Sequence, residues 1–445
     1  MAEVKHVSLP LPSIFVPNPG MDFLSELRWR GLIKDIIPGT EQVLKTPPVP
    51  GYIGFDPTAT SLHVGSLSQV MLLRLFQQCG HKPIVVIGGA TGMIGDPSGK
   101  SEERGLLSEE EVRHNGECIK RQLSRFLEFG KGPTDAEMMN NFEWYREVSL
   151  IDFLRDTGKH LTVNYMMAKD SVKSRLSTGI SFTEFSYQLL QAYDFLWLFG
   201  HKNCRLQMGG SDQWGNITAG AELIRRMAGQ DAFGMTIPLI TKVDGSKFGK
   251  TEAGNIWLDP ALTSPYKFYQ FWINTPDEDA PHYLHVFTQL SKSQVASLER
   301  AHSKAPHERV MQKKLAEELT ALVHSSADLE AAARASEILF GKAAREELAR
   351  LPEKTFLEVF EGVPQFHVGV SEFDGGVNII ELTATQTKVF PSKSEARRAI
   401  KEGGLSVNKV RITDHDHKIQ SDDLLNKRYL LVQKGKKNYF IIKVA

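Results

Sequence analysis

Residues 51–89 read GYIGFDPTATSLHVGSLSQVMLLRLFQQCGHKPIVVIGG. The opening GYIGF is strand-like and is broken at Asp56-Pro57. SLSQVMLLRLFQQCG has helical spacing from about Ser66, and PIVVIGG is an apolar run suited to a strand buried in a parallel sheet. The turn between strand and helix carries Asp56, Thr58 and His63, with glycines at 54 and 65. A helix N-terminus offers unpaired N–H groups and the positive end of its dipole, so such a turn can hold a phosphate. It can equally be plain punctuation between two elements.

The same alternation continues outward. Ser108 and Glu111 form a capping box that opens a helix running towards Phe129. CRLQMGG and MTIPLIT are short apolar strands on either side of the helix containing NITAGAELIRRM. The pattern predicts an α/β fold, a Rossmann-like doubly wound parallel sheet whose ligands sit at the carboxyl ends of its strands. After SPYKFYQFWIN the pattern changes, and residues 290–350 have helical spacing with no strand-like run. The expected organisation is a flexible extension at 1–20, a catalytic domain at 21–260 with an insertion near 130–165, and a helical domain at 261–360. A linker at 361–378 and a small α+β module at 379–445 follow.

A chain of 445 residues exceeds one ordinary core, so two or three domains are expected. No apolar run reaches the roughly 18 residues of a membrane span. Cys79, Cys118 and Cys204 make no CxxC or Cys/His spacing, which argues against structural zinc and a disulfide framework and fits a reducing compartment. MAEVKHVSLPLPSIFVPNPG resembles neither a secretory nor a transit segment, so cytoplasm is the expected location. Formal charge is zero, yet residues 385–445 hold fourteen Lys and Arg against six Asp and Glu, a net of +8 balanced by −8 elsewhere. A basic tail on an acidic body is a candidate nucleic-acid contact.

Three further stretches carry chemistry. GGATGMIGDPSGKSEERG follows a buried strand with six glycines and with Asp96, Lys100 and Arg104, groups suited to close backbone approach and polyphosphate charge. Its spacing is not that of a Walker loop. In EFSYQLLQAYDFLWLF, Tyr187, Gln191 and Asp194 stand at i, i+4 and i+7 on one face of an otherwise apolar helix. A buried carboxylate needs a partner, so a polar ligand is the better reading. KVDGSKFGKTEAG places Lys247 and Lys250 among Gly245, Gly249 and Gly254, a loop suited to closing over a developing polyanion.

HVGS, GDPSGK, FSYQLLQAYDF, GGSDQWGN and KFGKT occur in the order found in tyrosyl-tRNA synthetases of the bacterial and organellar type, and residues 21–445 resemble that family throughout. HVGS and KFGKT look like the two class I signatures. The resemblance implies a tyrosine–tRNA ligase that forms tyrosyl-adenylate and pyrophosphate from tyrosine and ATP, then esterifies tRNA. It implies phosphate contacts from Thr58 and His63, with Lys247, Lys250, Lys100 and Arg104 on the leaving pyrophosphate. Gly54, Asp56, Gly65, Gly210, Asp212 and Lys250 correspond to ATP contacts. Tyr52 and Asp194 match the pair that reads the substrate phenol; Asp96, Tyr187 and Gln191 match the α-ammonium contacts, and Gln213 lies near the reacting carboxylate.

The family signature usually ends in His where this chain has Ser66, whose hydroxyl can still donate one hydrogen bond. The resemblance further implies Mg²⁺ carried by ATP, no zinc or organic cofactor, and a homodimer. The C-terminal module is similar to an RNA-binding domain of a ribosomal small-subunit protein, with Arg397, Arg398, Lys434, Lys436 and Lys437 suited to tRNA phosphates. The rival readings are a tryptophanyl-tRNA synthetase, whose indole suits Tyr52 and Asp194 less well, and a catalytically silent RNA-binding paralogue.

Overall fold

The computed structural model describes residues 18, 20–98, 105, 107–173, 175, 179–243, 245, 248–251, 254–340, 348–361, 363–373, 375–435 and 438–445. They fall into two compact units, one running up to 263 and including 271–324, the other made of 264–270 and 325–445.

The first unit is built on six strands: β1 (Asp35–Ile36), β2 (Pro50–Phe55), β3 (Lys82–Ile87), β4 (Glu137–Asn140), β5 (Leu206–Gly210) and β6 (Phe233–Ile237). Their order is β1-β6-β5-β2-β3-β4, with β1 antiparallel to β6 and the other neighbours parallel. Apolar runs such as PIVVI and LQMGG are buried throughout, as strands covered on both faces must be. From β2 the chain builds outward through β3 to β4, and then returns to the other side of β2 for β5 and β6. The switch point lies between β2 and β5.

Register explains why a crevice opens there. β2 pairs with β3 along its whole length, from Pro50–Lys82 to Phe55–Ile87. It pairs with β5 only at Gly51–Leu206 and Tyr52–Gln207. Beyond Tyr52 the two central strands part at their carboxyl ends, where doubly wound sheets bind ligands.

Helices set the crevice walls. In chain order α1 is Phe23–Arg30, α2 Val64–Gln78, α3 Glu109–Leu123, α4 Phe182–Lys202 and α5 Trp214–Ala228. α2 begins where His63, in extended conformation, accepts the Gly65 N–H on its ring nitrogen, and it buries Leu67, Val70, Leu73 and Phe76. α3 opens on the Ser108–Glu111 capping box. α4 starts at a Ser181 cap and packs on α5 through Leu189, Ala192, Ala219 and Leu223. Gly220 permits the close approach, since a Cβ there would lie 2.8 Å from the Phe195 ring. A short ribbon, β7 (Lys250–Thr251) and β8 (Gly254–Asn255), follows, and then α6 (Pro265–Ile273), α7 (Ala280–Phe287), α8 (Lys292–Lys304) and α9 (Val310–Val323).

The helical stretch expected at 261–360 is thus shared between the units: α7, α8 and α9 belong to the first, and α10 (Ser326–Phe340) and α11 (Glu353–Val359) to the second. The second unit also holds β9 (Gln365–Val368), β10 (Val377–Asn378), α12 (Lys393–Lys401), β11 (Leu405–Val407), β12 (Val410–Arg411), β13 (Lys418–Ile419), β14 (Tyr429–Lys434) and β15 (Asn438–Val444). Five strands form one sheet in the order β12-β11-β14-β15-β9 over a core that includes Ile379, Leu382, Phe390, Ile400, Leu405, Val432 and Ile442.

Residues 361–378, expected as a linker, instead contribute β9 and β10. β9 adds to the sheet edge, parallel to β15, from Gln365–Ile441 to Val368–Val444. Its two inward residues, Phe366 and Val368, reach the core, but four residues between glycines and a proline are too short a run to stand out as a strand. No helix among the described residues is long and apolar enough to cross a membrane.

Candidate active site where the central strands part

Tyr52 is the last residue of β2 to pair with β5 and is 2 % exposed, its ring tilted against Phe195 of α4 at 5.4 Å. Its hydroxyl is buried and has no hydrogen-bond partner among the described residues. Asp194, one residue before Phe195, is 3 % exposed and accepts from Asn141 Nδ2 at 3.1 Å and Trp144 Nε1 at 2.9 Å. Burial pushes its carboxyl up to about 7, against the lowering effect of these donors. Burial, and then the Asp194 charge, raises the Tyr52 phenol well above its usual value. An orphaned buried hydroxyl beside a buried carboxylate is a costly arrangement, and a ligand O–H would relieve both groups.

From Asp194 a chain of hydrogen bonds runs along the crevice. Asn141 Nδ2 also donates to Thr91 Oγ1 at 2.9 Å, and Thr91 donates to Asp56 Oδ1 at 2.9 Å. The other oxygen of Asp56 accepts from the Tyr187 hydroxyl at 2.8 Å. Asp56, expected on the ATP side, is therefore hydrogen-bonded to the tyrosine-side residue Tyr187.

A second group gathers around Gln191, one turn after Tyr187 on α4. Gln213 Nε2 donates to Asp96 Oδ2 at 2.6 Å, and Gln191 Nε2 to Gln213 Oε1 at 3.2 Å. Asn216 Nδ2 stands 3.0 Å from Gln191 Oε1, 3.2 Å from Gln213 Oε1 and 3.3 Å from Ser98 Oγ. Of the six residues expected on the tyrosine side, Asp194 and Tyr187 fall in the first group and Asp96, Gln191 and Gln213 in the second, while Tyr52 lies beside Asp194. Asn141, Trp144, Thr91 and Asn216, which the sequence reading did not single out, join them.

The residues expected on the nucleotide side sit on turns and at glycines. Thr58 borders a cavity of about 130 Å³ lined also by Gly92, Met93, Ile94, Gly95, Gly105 and Leu107. Gly54 is exposed, and a Cβ built on it would meet nothing within 4 Å. At Gly65 a Cβ would lie 2.8 Å from the His63 ring, so this glycine lets the cap fold back on the helix. Ser66 donates its N–H to the His63 carbonyl at 2.9 Å. Gly210 ends β5, and Asp212 follows in the short turn before α5. Lys100, Arg104 and Lys247 lie outside the described residues, and Lys250 is placed only by its backbone in β7.

In the second unit Arg397 and Arg398 are exposed on α12. Lys434 stands 4.6 Å over the Phe390 ring and donates to the Val389 carbonyl at 3.3 Å, while Lys436 and Lys437 lie outside the described residues.

Residues 45–341 match the family model for class I tRNA synthetases (W and Y), and residues 355–442 match that for the SYY-like C-terminal domain of tyrosine–tRNA ligase. A tyrosine–tRNA ligase of Porphyromonas gingivalis is 58 % identical over 95 % of this chain and 99 % of its own, and one of Bacteroides thetaiotaomicron is 57 % identical over the same shares. A C-terminally truncated mitochondrial tyrosyl-tRNA synthetase of Aspergillus nidulans superposes with a TM-score of 0.65 at 29 % identity, covering 72 % of this chain and 94 % of that one. By these matches over nearly its whole length, the chain belongs to the class I tRNA synthetases and, within them, to the tyrosine–tRNA ligases.

Proposed function

We propose that the crevice divides the ligase reaction between its two sides. The phenol of tyrosine donates to Asp194 and accepts from Tyr52, so the Tyr52 hydroxyl gains a partner and Asp194 a further donor. The observation that carries this reading is the Tyr52 hydroxyl, buried without a partner beside Asp194. Asp96, Gln191 and the acceptor lone pairs of Tyr187 receive the α-ammonium, and Gln213 holds the carboxylate end.

That carboxylate is already ionised at neutral pH. It attacks the α-phosphorus of ATP directly, without a protein nucleophile or general base, and pyrophosphate leaves. Catalysis is then positioning plus charge stabilisation. Thr58, His63 and Ser66 act at the phosphates from the head of α2; Lys100, Arg104, Lys247 and Lys250 bring positive charge to the leaving group. Gly54, Gly65, Gly210 and Asp212 make room for the nucleoside and meet its ribose. Mg²⁺ is assigned to the substrate, bound through phosphate oxygens.

Leu150, Ile151, Leu154, Val163 and Phe182 are exposed within one segment, Phe182 at 77 %. So much exposed apolar surface on one segment favours a homodimer contact. Phe182→Asp should shift the protein towards monomer in light scattering; an unchanged dimer would place the interface elsewhere. The second unit reads tRNA through Arg397, Arg398 and the basic residues of its last hairpin, and the reaction belongs in the cytoplasm. Ending the chain at 375 should abolish tRNA charging and spare tyrosine-dependent ATP–pyrophosphate exchange; full charging by the truncated protein would refute the assignment.

A further inference from the structure

Gln122, on the last turn of α3, bonds the two residues just before the first signature stretch, HVGS, and reaches the segment that follows the second, KFGKT, through Ser61. Its Oε1 accepts the Leu62 N–H at 2.9 Å, and its Nε2 donates to Ser61 Oγ at 2.9 Å. Ser61 is 4 % exposed and spends its whole hydrogen-bonding capacity here. The hydroxyl accepts from Gln122 and from the Asp259 N–H at 3.1 Å, and it donates to the Leu62 carbonyl at 2.7 Å.

From this knot the chain segments run side by side towards the chemistry. Leu258 N–H donates to the Leu62 carbonyl at 2.8 Å and Val64 N–H to the Ile256 carbonyl at 2.9 Å, with His63 and Trp257 bridged between them. Ile256 N–H then donates to the Gly249 carbonyl at 3.1 Å. Gly249, at φ +77°, is seated so closely that a Cβ would lie 2.6 Å from the Val64 side chain. The head of α2 and the root of the lysine-bearing loop are therefore one hydrogen-bonded piece. A glutamine amide suits its end because it presents one acceptor and one donor together; a glutamate lacks the donor and an alanine lacks both.

We propose that Gln122 is a positioning residue for tyrosine activation. By clamping Ser61 and Leu62 it fixes the register of 62–64 against 256–258, and so places His63 and the base of the loop together. The inference rests on the reading of those two segments as the phosphate-handling side. Gln122 acts through Ser61 and Leu62 and bonds none of the residues proposed to read tyrosine, so its loss falls on the rate of adenylate formation and leaves the tyrosine pocket alone.

The test is ATP–pyrophosphate exchange on the full chain, with tyrosine affinity measured separately without ATP. Gln122→Ala should slow exchange by roughly 10–100-fold, the scale of small misplacements, with tyrosine affinity within about twofold of wild type. Ser61→Ala should do the same, and the double variant should be no slower than the worse single. Gln122→Glu, the milder change and the fallback if Gln122→Ala folds poorly, should fall between. Hydrogen exchange should quicken at the amides of Leu62, Val64, Leu258 and Asp259 while those of β3 hold. Wild-type rates in all variants, independent additive losses, or tyrosine affinity falling in step with rate would each overturn the proposal. A parallel His63→Ala variant separates the two levels: full activity there would refute the phosphate-side reading, whatever Gln122 does.

Discussion

The two sides of the crevice are built on opposite principles. On the side proposed to read tyrosine, Asp194, Asn141, Thr91, Asp56 and Tyr187 form one continuous hydrogen-bonded chain, and Asp96, Gln191, Gln213 and Asn216 form a second cluster. On the side proposed to hold the nucleotide, the Ser66 N–H bonds the His63 carbonyl, and Gly54, Gly65 and Gly210 present no side chain. Discrimination between amino acids needs donors and acceptors fixed before the substrate arrives, because an unmatched ligand must then leave buried groups unpaired. Phosphoryl chemistry needs contacts that strengthen as charge moves, which a space framed by turns and reached by long cationic side chains can supply.

The sharpest way to break this contrast is at Asp194. Sites that hydrogen-bond a substrate hydroxyl reject the analogue lacking it by roughly 10⁴–10⁵, tyrosine–tRNA ligases being themselves the reference case. Asp194→Ala should lose most of that ratio, read as exchange rates with tyrosine and phenylalanine offered separately; an unchanged ratio removes Asp194 from the phenol site. On the other side, His63→Ala should lower the exchange rate by about a hundredfold or more, with tyrosine KM almost unmoved. A rise in tyrosine KM that accounts for the whole loss would show the two sides to be one.

A smaller effect sharpens the contrast through pH. With its carboxyl raised to about 7, Asp194 is mostly protonated at pH 6 and mostly ionised at pH 8, so tyrosine KM should rise about tenfold on going down that interval while ATP KM stays level. The same shift has a stability sign. Between about pH 4 and 7 the folded apoprotein keeps a proton that the unfolded chain has released, so this group makes stability fall as pH rises. Asp194→Asn should flatten both slopes. Least of all, and only with tRNA present, Arg397→Ala and Arg398→Ala should each lower the salt slope of tRNA binding by about one without touching exchange.

How much of this could be read from the sequence followed from the kind of signal involved. Buried strands and the capped α3 stand out as apolar runs and a Ser-x-x-Glu pattern. Tyr187, Gln191 and Asp194 were legible because helical spacing puts polar residues on one face of an apolar helix. Asn216 carried the same kind of signal, three residues after Gln213 at the head of α5, and could have been found. Asn141 and Trp144 could not: they sit just after the edge strand β4, and their approach to Asp194 is set by packing, which has no period. Nor could the parting of β2 from β5, since register between distant strands is not written in either run. β9 was hidden by brevity and by its glycine and proline neighbours.

The most direct test of a divided site is equilibrium dialysis of tyrosine, without ATP, against the wild-type protein and the His63→Ala and Asp194→Ala variants. The account predicts that His63→Ala binds tyrosine as the wild type does, despite its slow adenylate formation, and that Asp194→Ala loses most of its affinity. Equal losses in both variants, or an Asp194→Ala protein that binds tyrosine normally, would contradict it.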